Sequence, residues 1–97
     1  MRIDKLLWFL RFAASRSLAH DWVLQGHIRQ NGRRIEKPGH AIKPGDILTL
    51  PLPRRVTVIE IMTLPTRRGP AAEAQACYRT LDDPAANPIA ATDNNSS

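Results

Sequence analysis

GHIRQNGRRIEKP, residues 26–38, crowds four cations and a single acid, Glu36, into thirteen positions and changes the period of the chain. Before it, apolar residues recur at helical spacing; after it, they alternate. Asn31-Gly32 is the strongest short-range hairpin signal, because a two-residue type I′ turn needs positive φ at both central positions. Such a turn sets Gln30 opposite Arg33, Arg29 opposite Arg34, and Ile28 opposite Ile35, with both isoleucines on the core face. Arg29 and Arg34 then face each other on the other side. Like charges directly opposite destabilise a strand pair. Water screens that cost, and an anion lodged between the two side chains would reverse it. Arginine suits phosphate because its planar fork reaches two oxygens. Charged side chains on an exposed strand also block edge-to-edge aggregation, so the hairpin alone leaves both readings open.

Upstream, Ile3, Leu6, Leu7 and Leu10 follow the i, i+3, i+4, i+7 spacing of a helix face. Trp8, Phe9 and Phe12 lie on other sides, so this helix is either sandwiched or exposes aromatic surface. Ser15 suits the N-cap of a second helix. Its buried stripe is Leu18, Ala19, Trp22 and Val23, and Gly26 suits a left-handed C-terminal stop. Trp22 is expected in the core, while Trp8 stays open to stacking on a base. Downstream, KPGH (37–40) and KPGD (43–46) place Pro second and Gly third, as in type II turns. DILTL (46–50) and RVTVIEIM (55–62) read as strands joined across PLPR. TRRGP is a linker, Pro70 suits the first turn of a helix, and AAEAQACYRTL has helix-forming composition.

These segments make an α+β domain over residues 1–64, two N-terminal helices packed on a small, mostly antiparallel sheet. A basic linker and a short C-terminal helix occupy 65–83, and PAANPIAATDNNSS (84–97) has too little apolar content to fold and is expected to be disordered.

Ninety-seven residues are room for one domain. Residues 1–70 carry 13 basic and 5 acidic side chains, a net +8, whereas residues 71–97 carry one basic and four acidic, a net −3. A basic body with an acidic end points to a polyanionic partner, most simply nucleic acid, with an anionic membrane surface as competitor. No apolar stretch approaches bilayer-spanning length. The opening MRIDKLLWFLRFAAS is interrupted by Asp4, Lys5 and Arg11, unlike a signal peptide. Cys77 is the single cysteine, which excludes an internal disulfide and fits a reducing cytoplasm, the expected location. His20, His27 and His40 with Cys77 match no closed zinc spacing, so neither metal nor cofactor is expected. The acids form no convincing general acid/base pair, and the chain shows no glycine-rich phosphate loop or nucleophile–base arrangement. No catalytic residue is assigned, and the chain is not expected to be an enzyme.

Cations also mark the helices. Arg2 and Lys5 lie on one side of the first helix, away from its apolar stripe, and Arg11 is near its end. Arg16 and Ser17 open the second helix, where backbone N–H groups and the helix dipole favour an anion. Arg67 and Arg68 in the linker either extend the basic surface or are simply solvated.

The order Arg2-x-Asp4, Ser15-Arg16-x-x-Ala19, Gly26-x-Ile28, Asn31-Gly32, Lys37-Pro38 and Gly45-Asp46 resembles the RNA-binding domain named for small-subunit ribosomal protein S4. DKLLWFLRF and RRGPAAEAQACY are similar to the heat-shock protein 15 branch of that family. The resemblance implies the S4-like, alpha-L-motif fold and an RNA site on the two helices and hairpin. Carried over by position, that site is Arg2, Lys5, Arg11, Arg16, Ser17, Arg29, Asn31, Arg33 and Lys37. Arg16, Arg29, Arg33 and Lys37 are expected on phosphates and Arg2 and Lys5 on an adjoining strand, since structured RNA is read through shape, phosphates and 2′-hydroxyls. Asp4 is expected to be structural, tying the first helix to neighbouring backbone or to a cation. The implied partner is structured ribosomal RNA of the large subunit, including subunits left holding a peptidyl-tRNA, bound by a monomer in rescue or recycling. Two departures stand out. Gln30 occupies a position where the family carries a branched aliphatic residue, and the lysine-rich extension of longer relatives has no counterpart in residues 84–97. Two other functions compete: an accessory RNA-binding subunit of an RNA-modifying enzyme, and a DNA-binding protein using the second helix, against which the Asn-Gly hairpin directly after that helix argues.

Overall fold

The computed structural model describes residues 1–81. Helices α1 (Ile3–Phe9) and α2 (Arg16–Leu24) lead into a hairpin, β1 (Arg29–Gln30) and β2 (Arg33–Arg34). Strands β3 (Ile47–Pro51) and β4 (Val56–Ile61), helix α3 (Ala71–Gln75) and strand β5 (Tyr78–Thr80) follow. The sheet order is β2-β1-β3-β4-β5, and every pairing is antiparallel. Arg29 pairs with Arg34 and Gln30 with Arg33, the register expected from a two-residue turn. Asn31 and Gly32 adopt φ of 52° and 85°, as a type I′ turn requires. One core joins both layers: Ile3, Leu6, Leu7 and Leu10 of the first helical segment, Ala19 and Val23 of α2, Ile28 and Ile35 flanking the hairpin, and Leu48, Leu50, Ile59 and Ile61 of the central strands.

Both helices end by left-handed stops, with different residues. Gly26 takes φ 80° after α2, as expected. After α1 the same task falls to Arg11, at φ 69°. Its N–H donates to the Trp8 carbonyl at 3.1 Å and the Phe12 N–H to the Leu7 carbonyl at 3.0 Å, the paired bonds of a Schellman motif. A side chain there carries strain that glycine would not. Arg11 is also held by a bond from Nη1 to the Gly69 carbonyl, 2.9 Å. At the N-terminus of α2, Ser15 Oγ accepts from the Leu18 N–H at 3.1 Å, the expected cap.

Several expectations need correction. The 71–81 segment is helical only through Gln75; Tyr78–Thr80 becomes an edge strand on β4, with Ile61 opposite Tyr78. The open edge of β4 and the packing of Tyr78 on Phe12, ring centroids 5.2 Å apart, outweigh helix propensity. Leu18, placed in the buried stripe of α2, is 55% exposed, and Trp22 is half-buried at the border of the core. The nine-residue α2 packs chiefly against α1 and buries only a narrow stripe, Ala19 and Val23. The expected disorder over 84–97 lies outside the described residues.

The two Pro-Gly turns also differ. Gly45 has φ 93°, and the Asp46 N–H reaches the Lys43 carbonyl at 3.2 Å, in keeping with a type II turn. The Lys37–His40 turn closes by His40 N–H to Lys37 carbonyl, 3.0 Å, but Gly39 is not left-handed, so this turn is not type II. The stability of single variants checks this distinction. Gly45→Ala is expected to lower unfolding free energy by about 1–2 kcal/mol, the cost of a Cβ at positive φ. Gly39→Ala is expected to change it by about 0.5 kcal/mol or less, since its added Cβ meets the Arg2 guanidinium at an ordinary 3.7 Å. Urea denaturation of both variants beside wild type gives the comparison.

Candidate nucleic-acid interface

Two buried aspartates arrange the basic surface. Asp4, in the first turn of α1, is 2% exposed. Its carboxylate accepts from Arg2 Nε and Nη2, both at 3.1 Å, and from the Lys5 N–H at 2.7 Å. Arg16, from the first turn of α2, approaches the same carboxylate at 3.8 Å. Asp4 thus ties its helix both to backbone and to cations, as expected. The two guanidiniums remain about half exposed, and with Ser17, His20 and Asp21 they line an open depression of about 380 Å³. The 37–42 loop is stitched to the start of α1. Ile3 N–H donates to the His40 carbonyl at 2.8 Å, Asp4 N–H to the Pro38 carbonyl at 3.2 Å, and Ile42 N–H to the Met1 carbonyl at 2.8 Å. This places Lys37 on a segment whose backbone is anchored beside Arg2.

Asp46, also 2% exposed, anchors the other end of that region. It accepts from Gln30 Nε2 at 2.7 Å, Asn31 Nδ2 at 3.2 Å, Lys43 N–H at 3.0 Å and Lys43 Nζ at 2.9 Å. Burial alone would push its carboxyl up. The Lys43 backbone and ammonium and the two side-chain amides outweigh burial and hold it well below the usual carboxylate range. Asn31 completes the lock: its Oδ1 accepts from the Ile47 N–H at 2.9 Å and its own N–H donates to the Ile47 carbonyl at 2.7 Å.

The expected site residues therefore fall into groups. Arg2, Arg16 and Ser17 come together around Asp4. Arg29 and Arg33 stand exposed on the hairpin with Arg34 and make no ion pair among the described residues. Arg29 Nη1 reaches only the Gly32 carbonyl, 3.2 Å. Lys37 is exposed, and Lys5 rides over the Phe9 ring at 5.3 Å. Asn31 is internally engaged, so its side chain shapes the hairpin tip and leaves little for an outside ligand. Arg11 lies at the far end of α1, bonded to Gly69, away from the Asp4 group.

Sequence reasoning missed three residues. Gln30, marked as a departure from the aliphatic pattern, bridges Asp46, the Ala41 carbonyl at 3.4 Å and the His40 ring. A polar residue at a half-buried strand position signals a buried partner, and Asp46 was available to supply it. Arg68 donates from Nε to the Trp8 carbonyl at 3.0 Å and lies 5.9 Å from the Trp8 ring, capping the end of α1. Arg67 forms a two-bond pair with Glu73, at 3.0 and 2.8 Å. The linker arginines thus serve the fold first. Among the described residues, no helix is long and apolar enough to cross a membrane.

Two helices feeding an Asn-Gly hairpin, with cations fixed at the start of each helix, define an S4-type domain. The S4 domain family model matches residues 1–48. The small ribosomal subunit protein uS4 of Gloeobacter violaceus is 43% identical over 49 residues, covering 50% of this chain and 24% of that protein. A heat shock protein 15 homolog of Aeromonas salmonicida is 33% identical over 82 residues, covering 84% of this chain and 61% of that protein. The trimeric structure of Vibrio cholerae heat shock protein 15 superposes with a TM-score of 0.79 at 37% identity, covering 84% of this chain and 81% of that one. The chain belongs to the heat shock protein 15 family of S4-domain proteins. It spans about a quarter of the uS4 relative and 61% of the Aeromonas protein.

The Asp46 lock carries a pH signature. A carboxyl whose folded pKa lies below its unfolded value near 3.9 contributes stability that is complete above that value. The contribution drains away as pH falls from about 4 through the folded pKa. Asp46→Asn is expected to cost about 1–3 kcal/mol near neutrality. The gap between wild type and variant narrows as pH falls below about 4; urea midpoints from neutral to strongly acidic pH measure it.

Proposed function

We propose that this chain is a non-enzymatic RNA-binding protein that docks on structured ribosomal RNA of the large subunit, in rescue or recycling of stalled subunits. The observation that carries the reading is the pair Arg2 and Arg16, held by one buried carboxylate beside a hairpin whose arginines have no ion-pair partner among the described residues. Fixed guanidiniums bind phosphate with little ordering cost, and a rigid cationic surface suits RNA read by shape and backbone. Arg16, Arg29, Arg33 and Lys37 take phosphates in this reading, with Arg34 joining Arg29 across the hairpin. Arg2, Lys5 and Ser17 face an adjoining strand, Asn31 shapes the tip and Arg11 lies at the periphery. Membership in a family whose relatives include a ribosomal protein supports the ribosomal source of the RNA. We read the RNA-bound form as a single copy in the cytoplasm, although the Vibrio relative was solved as a trimer.

Sedimentation of tagged protein in lysate tests the reading. Wild type is expected to migrate with free large subunits at low salt and to leave them as salt rises. Arg16→Ala/Arg29→Ala is expected to stay at the top of the gradient and, in titrations with purified subunits, to reduce the log–log salt slope by about 2. Wild type remaining at the top at low salt overturns ribosome docking, and co-migration with a modifying enzyme instead points to an accessory subunit.

Asp4→Asn separates organised charge from total charge. Removing the carboxylate makes the face more positive, so charge alone would tighten RNA binding. Loss of the anchor is expected instead to weaken it by about 1 kcal/mol, measured by filter binding to large-subunit RNA with circular dichroism confirming the fold.

A further inference from the structure

A second surface lies away from the Asp4 group. Phe12, Trp22, Pro51, Leu52 and Pro53 line an open cleft of about 300 Å³. Phe12, Trp22 and Leu52 are half-buried and pack against the core from its border, so their outer faces are fixed in place. The cleft is bounded by the β3–β4 turn, which Leu52 N–H closes on the Arg55 carbonyl at 3.0 Å. That turn carries Arg54 and Arg55, both exposed and neither in an ion pair among the described residues. Trp22 sits on a different side of α2 from Arg16, Ser17 and His20, because positions 16, 17 and 20 cluster within one face at 100° per residue while position 22 falls outside it.

Resting on the RNA-binding reading above, we propose that this cleft is a second RNA subsite that takes an unpaired base. The base stacks on Trp22, and Arg54 and Arg55 hold the flanking phosphates. Three features favour this occupant. The depression is open and small, of a size to take a single planar ring. It joins a rigid aromatic face to prolines, the kind of platform on which bases of any sequence stack. The cations on the turn that bounds it make no ion pair among the described residues, so the charge left to satisfy is that of a polyanion, whereas an apolar protein surface would bury them without partners. Such a subsite gives the domain two contacts with different grammar: phosphates of folded RNA at Asp4 and the hairpin, and a splayed base from an adjoining single strand at the cleft.

Trp22 reports on its own occupancy once Trp8 is replaced. In a Trp8→Phe protein, a short oligouridylate is expected to quench the remaining tryptophan, while inorganic polyphosphate of matched charge is not. Arg54→Ala/Arg55→Ala, changes confined to an exposed turn, are expected to weaken the oligouridylate response by about tenfold at low salt and to leave binding of an RNA duplex unchanged. Arg16→Ala is expected to do the reverse. Quenching absent in a protein that still binds the duplex overturns the cleft subsite and leaves the proposed function standing. Binding of neither RNA overturns both. Emission that depends on protein concentration and ignores oligouridylate assigns the cleft to a second copy of the chain and overturns the base-stacking proposal.

Discussion

A single carboxylate, Asp4, holds the junction on which the basic surface depends. It is buried in the first turn of α1, where a negative charge is favoured by the helix dipole. Leaving it unpaired there would be costly, so it accepts from the Lys5 N–H and the Arg2 fork and draws Arg16 of a separate helix to ion-pair distance, 3.8 Å. The helix starts are thereby brought together, and the guanidiniums that neutralise the aspartate turn their remaining N–H groups outward. A fold requirement and an exposed cationic surface are met by the same contacts.

Asp46 does the equivalent work for the hairpin. A two-residue turn between two-residue strands has little intrinsic stability, and this one carries opposed arginines on its outer face. Its tip is held from below by Asn31 and Gln30 on the Asp46 carboxylate, and its base by Ile28 and Ile35 in the core. The arginine pair is tolerated because the turn does not depend on it. The 37–46 segment joins the two aspartate centres, since its backbone carbonyls accept from the start of α1 and its last residue is Asp46 itself.

The fold was legible wherever local chemistry and long-range packing agreed. Asn31-Gly32 dictated the turn, and hence the register of Arg29, Arg34, Ile28 and Ile35. Ser15 and Gly26 bounded α2 by their capping chemistry. Legibility failed where a distant partner decided the outcome. Tyr78–Thr80 have neighbours that favour a helix, yet the open edge of β4 takes them as a strand. Trp22 reads as core because its spacing is helical, yet it packs at the core's border beside Phe12 and Leu52 and stays half-buried. Of the candidate site, the cations of the hairpin and helix starts were visible from charge and motif order. The internal engagement of Asn31, Arg11 and Arg68 was not, because each bonds to a carbonyl or carboxylate that the chain brings near only on folding.

That distinction bears on how a basic protein presents its charge. Lys43, Arg67 and Arg79 close on Asp46, Glu73 and Glu60, and Arg11 and Arg68 close on carbonyls at the end of α1. None of these is well placed to respond to an external anion without breaking an internal bond. Apart from Arg2 and Arg16 on Asp4, and Lys5 and Lys37, the remaining cations fall into two groups: the hairpin carries Arg29, Arg33 and Arg34, and the β3–β4 turn carries Arg54 and Arg55. Both groups sit on tight antiparallel turns, where side chains stand clear of the core and the backbone is held by ladder hydrogen bonds. Net charge sets the long-range attraction a polyanion would feel, while the two turns hold exposed arginines that make no ion pair among the described residues.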